Sequence, residues 1–163
     1  MEKYIGVKLI EAEPMNLVDA EEYLHRKIKE GHEDGYLVRY PDGYESWSPK
    51  NVFEEAYRRL DNLTFGLAIE AMKKGFMVAR KGWNGKGMFI YLVSSKLVKH
   101  EDFKAEAVKA IKLAYKGEGN VDNAPSDRIV NAHIDMKTAD GHITVGWNPS
   151  QPGMMAEDWE IVE

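Results

Sequence analysis

The chain has 163 residues, of which 44% are hydrophobic and 30% charged, with a net charge of -5 and no cysteine. This length fits one domain of average size or two small ones. The composition excludes disulfides and thiolate chemistry, and no apolar run approaches the ~20 residues that cross a bilayer. An acidic chain is poorly suited to bind a DNA or RNA backbone. A small phosphate ligand needs only a few local cations, so it is not excluded.

The N-terminal residues show the pattern of a strand followed by a helix. Alternating apolar residues over Ile5–Ile10 predict the strand, and Pro14 ends it. Asn16 can cap the helix, whose apolar stripe extends towards Gly31. No leader peptide is expected here, because charges interrupt the apolar residues.

A hairpin and a second helix are predicted next. Two aromatic-rich runs, 36–40 and 44–47, flank the turn Pro41-Asp42-Gly43. The aromatic side chains suit cross-strand pairs and also a binding surface. Ser48 is the predicted cap of the following helix, with Pro49 at its first position.

A capped helix then leads to two strands joined by a glycine-rich loop. Thr64 is the candidate cap, and the strands are predicted over 76–80 and 88–93. The loop over 81–87 contains three glycines, which allow a backbone to approach a ligand closely. Arg80 shares an apolar strand face, where a charge is costly to bury without an anionic partner.

The last third is predicted as one helix and three strands. Helical periodicity spans 101–115, and strict alternation predicts one strand over 130–137. A tight turn at 139–142 leads to a strand over 143–147, and a polar loop then leads to a final strand over 158–162. The order predicts an α+β fold with a meandering antiparallel sheet and flanking helices.

The best candidate for a domain boundary is Asp61-Asn62. It divides the chain into a small α+β module over 1–62 and a core domain over 63–163. No internal repeat or low-complexity tract suggests a different division.

Two tryptophans and one arginine form the strongest candidate binding site. Trp83 and Trp147 lie near loops, where they could sandwich or flank purine rings, and Arg80 is suited to bind phosphate. Four amide and hydroxyl side chains could bind base edges: Asn84, Asn148, Ser150 and Gln151. The alternative interpretation is that both tryptophans are half-buried core residues.

His133 and Asp135 share one strand face and could be half of a metal site or an acid–base pair. No third ligand with a recognisable spacing accompanies them, so a solvated or hydrogen-bonded histidine is the simpler interpretation. No nucleophile elbow, zinc-protease motif or dinucleotide fingerprint is present. We therefore predict no metal, no cofactor and no catalytic residue.

Three stretches, TFGLAIEAMKKGFMVARKGWNGKGMFIYL, MKTADGHITVGW and SQPGMMAEDWEIV, resemble the Thoeris anti-defence protein 2 family of phages. The resemblance implies a small non-enzymatic protein that sequesters nucleotide immune signals in the host bacterial cytoplasm. The signal would be glycocyclic ADP-ribose, and cyclic dinucleotides of CBASS defence could bind at a separate site. It also implies a homotetramer with pockets at subunit interfaces. GYLVRYPDGYESWSPKNVFEEAYR resembles a short phage module of undescribed function.

By this resemblance, Trp83 and Trp147 would stack on the ligand, with Arg80 near its phosphates. Other positions that match the family motifs could complete the pocket: Phe65, Asn84, Thr138, Asn148, Ser150, Gln151 and Asp158. The alternatives are a nucleotide hydrolase, or a phage structural or interaction protein with no small ligand.

Overall fold

The computed structural model describes residue 2 and residues 6–116 and 127–162. These residues contain five helices and ten strands, all paired antiparallel, which confirms the predicted α+β class. The strands are β1 (Glu11–Pro14), β2 (Gly35–Arg39), β3 (Glu45–Pro49), β4 (Met77–Arg80), β5 (Phe89–Val93), β6 (Lys96–Val98), β7 (Arg128–Val130), β8 (His133–Lys137), β9 (Ile143–Thr144) and β10 (Trp159–Val162). The helices are α1 (Leu17–Tyr23), α2 (Lys50–Ala56), α3 (Phe65–Lys73), α4 (Ala105–Lys116) and α5 (Gln151–Met154).

The N-terminal strands form a three-stranded sheet in the order β1-β2-β3. The predicted hairpin is confirmed, and Gly43 at its turn has a φ of +84°, which favours glycine. Trp47 is buried against Leu17 and Ala20 of α1. Its indole N–H donates to the Met15 carbonyl at 2.8 Å, which satisfies the polar atom of the ring.

The prediction of a strand over Ile5–Ile10 is wrong. The strand begins at Glu11, which pairs with Arg39, the last residue of β2. Residues 6–10 lie beyond that partner and contain no strand, and Ile5 is outside the described residues. Apolar and other residues do alternate over 5–10, but β2 ends at Arg39 and therefore offers these residues no pairing partner.

The helix caps differ from the predictions in detail. Asn16 caps α1 as predicted, because its side-chain oxygen accepts from the Asp19 N–H at 3.0 Å. The helix ends before His25, whose φ of +52° leaves the helical region, and does not continue to the predicted glycine. Ser48 does not cap α2; it belongs to β3, and Pro49 is the N-cap without a side-chain hydrogen bond.

A five-stranded sheet in the order β10-β4-β5-β8-β9 carries the second hydrophobic core. The register places Trp159 opposite Arg80, and Val78 between Ile161 and Ile90. Helix α3 packs on this sheet, and its predicted cap is confirmed by a 3.3 Å bond from the Leu67 N–H to Thr64 Oγ1. The buried residues of this core are Leu63, Ala68, Ala71, Met72, Val78, Ile90, Met136 and Trp159.

The predicted single strand over 130–137 is two strands in different sheets. β7 pairs with β6 in a separate ribbon, whereas β8 pairs with β5 in the main sheet. Alternating apolar and polar residues indicated both strands. The break between them at Asn131–Ala132 arises because each strand pairs with a different strand, distant in sequence. Strand β6 itself was not predicted.

Three further elements differ in extent from their predictions. The helix predicted over 101–115 is a 3-10 turn at His100–Asp102 followed by α4. The strand over 143–147 stops at Thr144, since Gly146 has a φ of +73°. The polar loop that follows contains the single turn α5.

The two ends of the described chain have separate hydrophobic clusters, one around Trp47 and one around Trp159. Leu63, the first residue of the second cluster in the chain, exchanges backbone hydrogen bonds of 2.7 and 3.2 Å with Trp159. The division at residue 62 stays a prediction. Among the described helices, none is long and apolar enough to cross a membrane.

Candidate functional site

Trp159 lies at the centre of an aromatic cluster. It is 0% exposed, and its indole N–H donates to the Gly153 carbonyl at 3.0 Å. The rings of Phe65, Trp83 and Trp147 surround it at centroid distances of 5.2, 5.5 and 6.2 Å. Three predicted site residues therefore meet around a fourth aromatic residue that sequence reasoning did not single out. Its signals in the sequence were the final strand predicted over 158–162 and the stretch SQPGMMAEDWEIV, which contains it.

Trp83 and Trp147 are both half-buried. Their centroids are 6.0 Å apart and their planes meet at 72°, edge to face. Perpendicular rings at this distance leave no slot for a base between them, so the arrangement does not suit a sandwich. Each indole can still flank a ligand through its exposed part. The alternative interpretation, that both tryptophans are half-buried core residues, agrees with the same burial.

Arg80 binds a carboxylate of its own chain. Its Nε and Nη2 donate to Asp158 Oδ1 and Oδ2 at 2.7 and 3.2 Å. This pair supplies the anionic partner that the apolar strand face required. Three of the five guanidinium N–H groups are not used by these two bonds.

Asp158 also fixes the start of the loop that carries Trp83. Its Oδ2 accepts from the Gly82 N–H at 3.0 Å, and its carbonyl accepts from the Lys81 N–H at 3.1 Å. The Arg80 guanidinium, with help from the Gly82 N–H, lowers the pKa of the Asp158 carboxyl. A carboxylate held in this way is a weak proton acceptor, which makes it a poor general base.

The glycines of the 81–87 loop serve packing. A Cβ at Gly85 would overlap the Met88 sulfur and lie 2.7 Å from the Ala139 Cβ. Gly87 has a φ of +66°, and its carbonyl accepts from Lys137 at 2.9 Å. The loop is therefore held against the β8–β9 turn. Asn84, in the middle of this loop, is exposed.

Asp135 holds the turn that places Trp147. It is 6% exposed, and its Oδ1 accepts from the Gly146 N–H at 3.1 Å. The Trp147 N–H then donates to the Ile134 carbonyl at 2.7 Å. His133 Nε2 lies 3.5 Å from the same Oδ1, and its Nδ1 lies 2.8 Å from the Asn131 carbonyl. His133 is thus hydrogen-bonded to the backbone and lies beside Asp135, which fits the simpler structural interpretation.

Three predicted polar residues lie in the segment after Trp147. Asn148 donates to the Gly146 carbonyl at 3.2 Å, and the Ser150 hydroxyl accepts from the Gly153 N–H at 3.3 Å. Gln151 is the exposed first residue of α5. Ser150 therefore acts as a helix cap, a role that its position before a proline-containing turn could have indicated.

Thr138 belongs to the β8–β9 turn. Its hydroxyl lies 2.5 Å from Asp140 Oδ1 and 3.0 Å from the His142 carbonyl oxygen, and it donates its one proton to the nearer acceptor, Asp140. The Thr138 hydroxyl and His142 lower the pKa of the Asp140 carboxyl. Thr138 is thus tied to its own turn, beside the loop that carries Asn84.

Cavities of about 510 and 450 Å³ open on the described part of the chain. The larger lies between the N-terminal segment and α3, and the smaller lies beside β4 and β5. None of the ten predicted binding residues lines either of them. The aromatic cluster therefore lies outside both cavities. Across residues 6–116 and 127–162, no three histidine, aspartate or glutamate side chains form a group that could hold a metal.

Comparison with known proteins agrees with the resemblance seen in the sequence. Residues 63–162 match the model of the Thoeris anti-defense 2-like domain. The chain is 40% identical over 100 residues to Thoeris anti-defense 2 of Bacillus phage SP01, an alignment that covers 61% of this chain and 94% of the relative. The aromatic cluster, the Arg80–Asp158 pair and the Asp135 contact all lie within the matched range. The chain therefore belongs to the Thoeris anti-defense 2-like family.

Proposed function

We propose that this chain is a phage anti-defence protein that binds a cyclic nucleotide immune signal, glycocyclic ADP-ribose, and releases it unchanged. Membership of the family indicates the anti-defence role. One observation supports nucleotide binding above the others: two half-buried indoles, 6.0 Å apart, lie on loops around the buried Trp159. Flat aromatic faces on a rigid base suit purine rings.

The energies indicate what else the site must supply. Stacking on two rings contributes ~2–6 kcal/mol, whereas nanomolar affinity needs about 12 kcal/mol. Contacts to phosphate must therefore provide much of the difference. The unused N–H groups of Arg80 and the exposed Lys86 of the same loop are suited to this role.

The bonded state of Asp158 favours binding without cleavage. Asp158 is held by Arg80 and Gly82, and its lowered pKa makes it a weak base. Incubation of the protein with glycocyclic ADP-ribose, followed by heating and mass spectrometry, tests this. Intact ligand is expected, and cleavage products would replace sequestration with hydrolysis.

We expect a homotetramer, acting in the host bacterial cytoplasm, to complete the pocket. Apolar side chains on both sides of Trp147 in sequence stay exposed: Ile143 at 50%, Val145 at 70%, Met154 at 41% and Met155 at 80%. A second copy that covers them would enclose the exposed parts of the two indoles in a pocket. Native mass spectrometry with glycocyclic ADP-ribose or a cyclic dinucleotide reports the subunit number and the ligand count together.

Variants of the two indoles test the stacking directly. Trp83→Ala and Trp147→Ala are each expected to weaken binding of glycocyclic ADP-ribose at least tenfold in calorimetry, the equivalent of ~1.4 kcal/mol. Tyr44→Ala is the control, because this exposed aromatic residue lies outside the family match. Unchanged affinity in both tryptophan variants would contradict the proposed site.

A further inference from the structure

The larger cavity has the dimensions and walls of a ligand site. Its volume of about 510 Å³ falls within the ~300–1,000 Å³ of small-molecule sites. One wall comes from residues before 63, outside the family match, and the other from α3, Phe76 and β10. The cavity is therefore specific to a chain that carries the N-terminal segment.

The N-terminal wall is a row of stacked rings. Tyr36 and Phe53 are 4.2 Å apart between centroids with planes at 22°, and Phe53 and Tyr57 are 5.0 Å apart at 28°. All three line the cavity. In such a row of near-parallel rings, the outer face of the last ring is available to stack on the flat ring of a ligand.

The opposite wall is apolar. Its side chains come from the main core and its border: Leu63, Leu67, Ala71, Phe76 and Ile161. A space between stacked aromatic rings and aliphatic side chains offers water few hydrogen-bond partners. A flat apolar ring fits it better.

Positive charge exceeds negative charge among the residues that line the cavity. Four cationic residues line it against two acidic ones, Glu54 and Glu70, and one of the four, Arg59, pairs with Asp61 at 3.0 Å. Both acids are already bonded, Glu54 to the Tyr36 hydroxyl at 2.9 Å and Glu70 to Lys73 at 2.7 Å. Lys74 makes no ion pair with any residue that the structure describes. The cationic residues are Lys8, Arg58, Arg59 and Lys74.

We propose that this cavity binds a planar aromatic ring that carries a negatively charged group. The ring extends the stack at Tyr57, and the charged group is bound by Lys74. The site goes beyond the proposed sequestration of glycocyclic ADP-ribose, because it shares no residue with the aromatic cluster. It also gives the N-terminal segment a binding role.

Two probes distinguish the sources of this chemistry: adenosine monophosphate for nucleotides and 2-naphthoate for simple aromatic acids. Each is titrated into the full-length protein, with affinity from calorimetry and location from NMR shifts of the Leu67 and Ala71 methyl groups. At least one probe is expected to bind and to shift these methyl groups. Lys74→Gln is expected to weaken that binding at least threefold.

Lys109→Gln is the matched control. It removes the same charge from an exposed lysine of α4 that does not line the cavity. Equal effects of the two variants would overturn the proposal, and so would a lack of methyl shifts with both probes. Tyr57→Ala is expected to weaken binding and Tyr57→Phe to restore it, because stacking needs the ring. Trp147→Ala is expected to bind the probe normally, which separates this site from the aromatic cluster.

Discussion

At the scale of single residues, two aspartates position the aromatic cluster through backbone hydrogen bonds and not through contacts with its rings. Asp158 fixes the start of the Trp83 loop through Gly82, and Asp135 fixes the Trp147 turn through Gly146. Each uses a carboxylate oxygen to bind a backbone N–H at the point where a strand gives way to a loop. The orientation of each indole therefore depends on an acid elsewhere in the sequence.

The pH dependence of stability tests the role of Asp158. Its folded-state pKa lies below its usual value, so its contribution to the free energy of unfolding is present above the unfolded pKa of ~3.9 and is lost as pH falls through the lower folded value. Thermal melts from pH 5 to pH 2.5 are expected to show a steeper loss for the wild type than for Asp158→Asn. Asp61 and Asp140 also have lowered pKa values, but both proteins contain them. Parallel curves would refute the role of the pair.

Replacement of Asp135 tests the second contact. Asp135→Ala leaves the Gly146 N–H without its acceptor, which costs ~1–3 kcal/mol of stability, and frees the turn before Trp147. We expect a weaker near-UV circular dichroism signal from the tryptophans and reduced affinity for glycocyclic ADP-ribose. Asp135→Asn, whose amide oxygen can still accept, is expected to keep both. A normal spectrum with lost affinity would instead place Asp135 in contact with the ligand.

At the scale of elements, patterns close in sequence predicted the fold better than pairings between distant segments. The hairpin over 36–47 and the helix capped by Thr64 were predicted because turn and cap residues act locally. The break at Asn131–Ala132 was missed because β7 and β8 have different partners.

The same distinction applies to the candidate site. Trp83 and Trp147 were identified because they are aromatic residues close to loops. Their contact with Trp159 depends on the strand register that places Trp159 opposite Arg80. No pattern in the sequence indicated that Arg80 would pair with Asp158. An arginine next to loops suggested phosphate, whereas its first partner in the folded chain is a carboxylate.

The close contact between the 81–87 loop and the β8–β9 turn gives a prediction at this scale. Gly85→Ala places a methyl group against Met88 and Ala139, and overpacking of this kind costs ~1–3 kcal/mol. A lower melting temperature is expected. Gly66→Ala is the control with the opposite sign, because the new Cβ meets nothing closer than 3.9 Å and alanine favours α3 by ~0.5–1 kcal/mol. Equal melting temperatures for the two variants would contradict the packing role of Gly85.

At the scale of the whole molecule, two hydrophobic clusters of unequal size share one chain. The cluster around Trp159 lies within residues 63–162, and the cluster around Trp47 lies before them. Each cluster has its own sheet and its own helices.

Deletion of residues 1–62 is therefore expected to leave a soluble core that still binds glycocyclic ADP-ribose. The deletion uncovers part of the cavity wall, including Leu67 and Phe76, so we expect a lower melting temperature than for the full chain. Calorimetry and native mass spectrometry of the truncated protein check affinity and subunit number. An insoluble or non-binding product would show that the N-terminal segment belongs to the site or to the subunit interface.

Leu63 belongs to two environments at once. Its side chain lines the large cavity, while its backbone is bonded in both directions to Trp159, the base of the indole cluster. A ligand that displaces Leu63 from the cavity side would also move the Trp159 backbone to which it is bonded. Thermodynamic reciprocity then requires that the cavity ligand and the ligand of the aromatic cluster change each other's affinity by the same factor, whichever binds first.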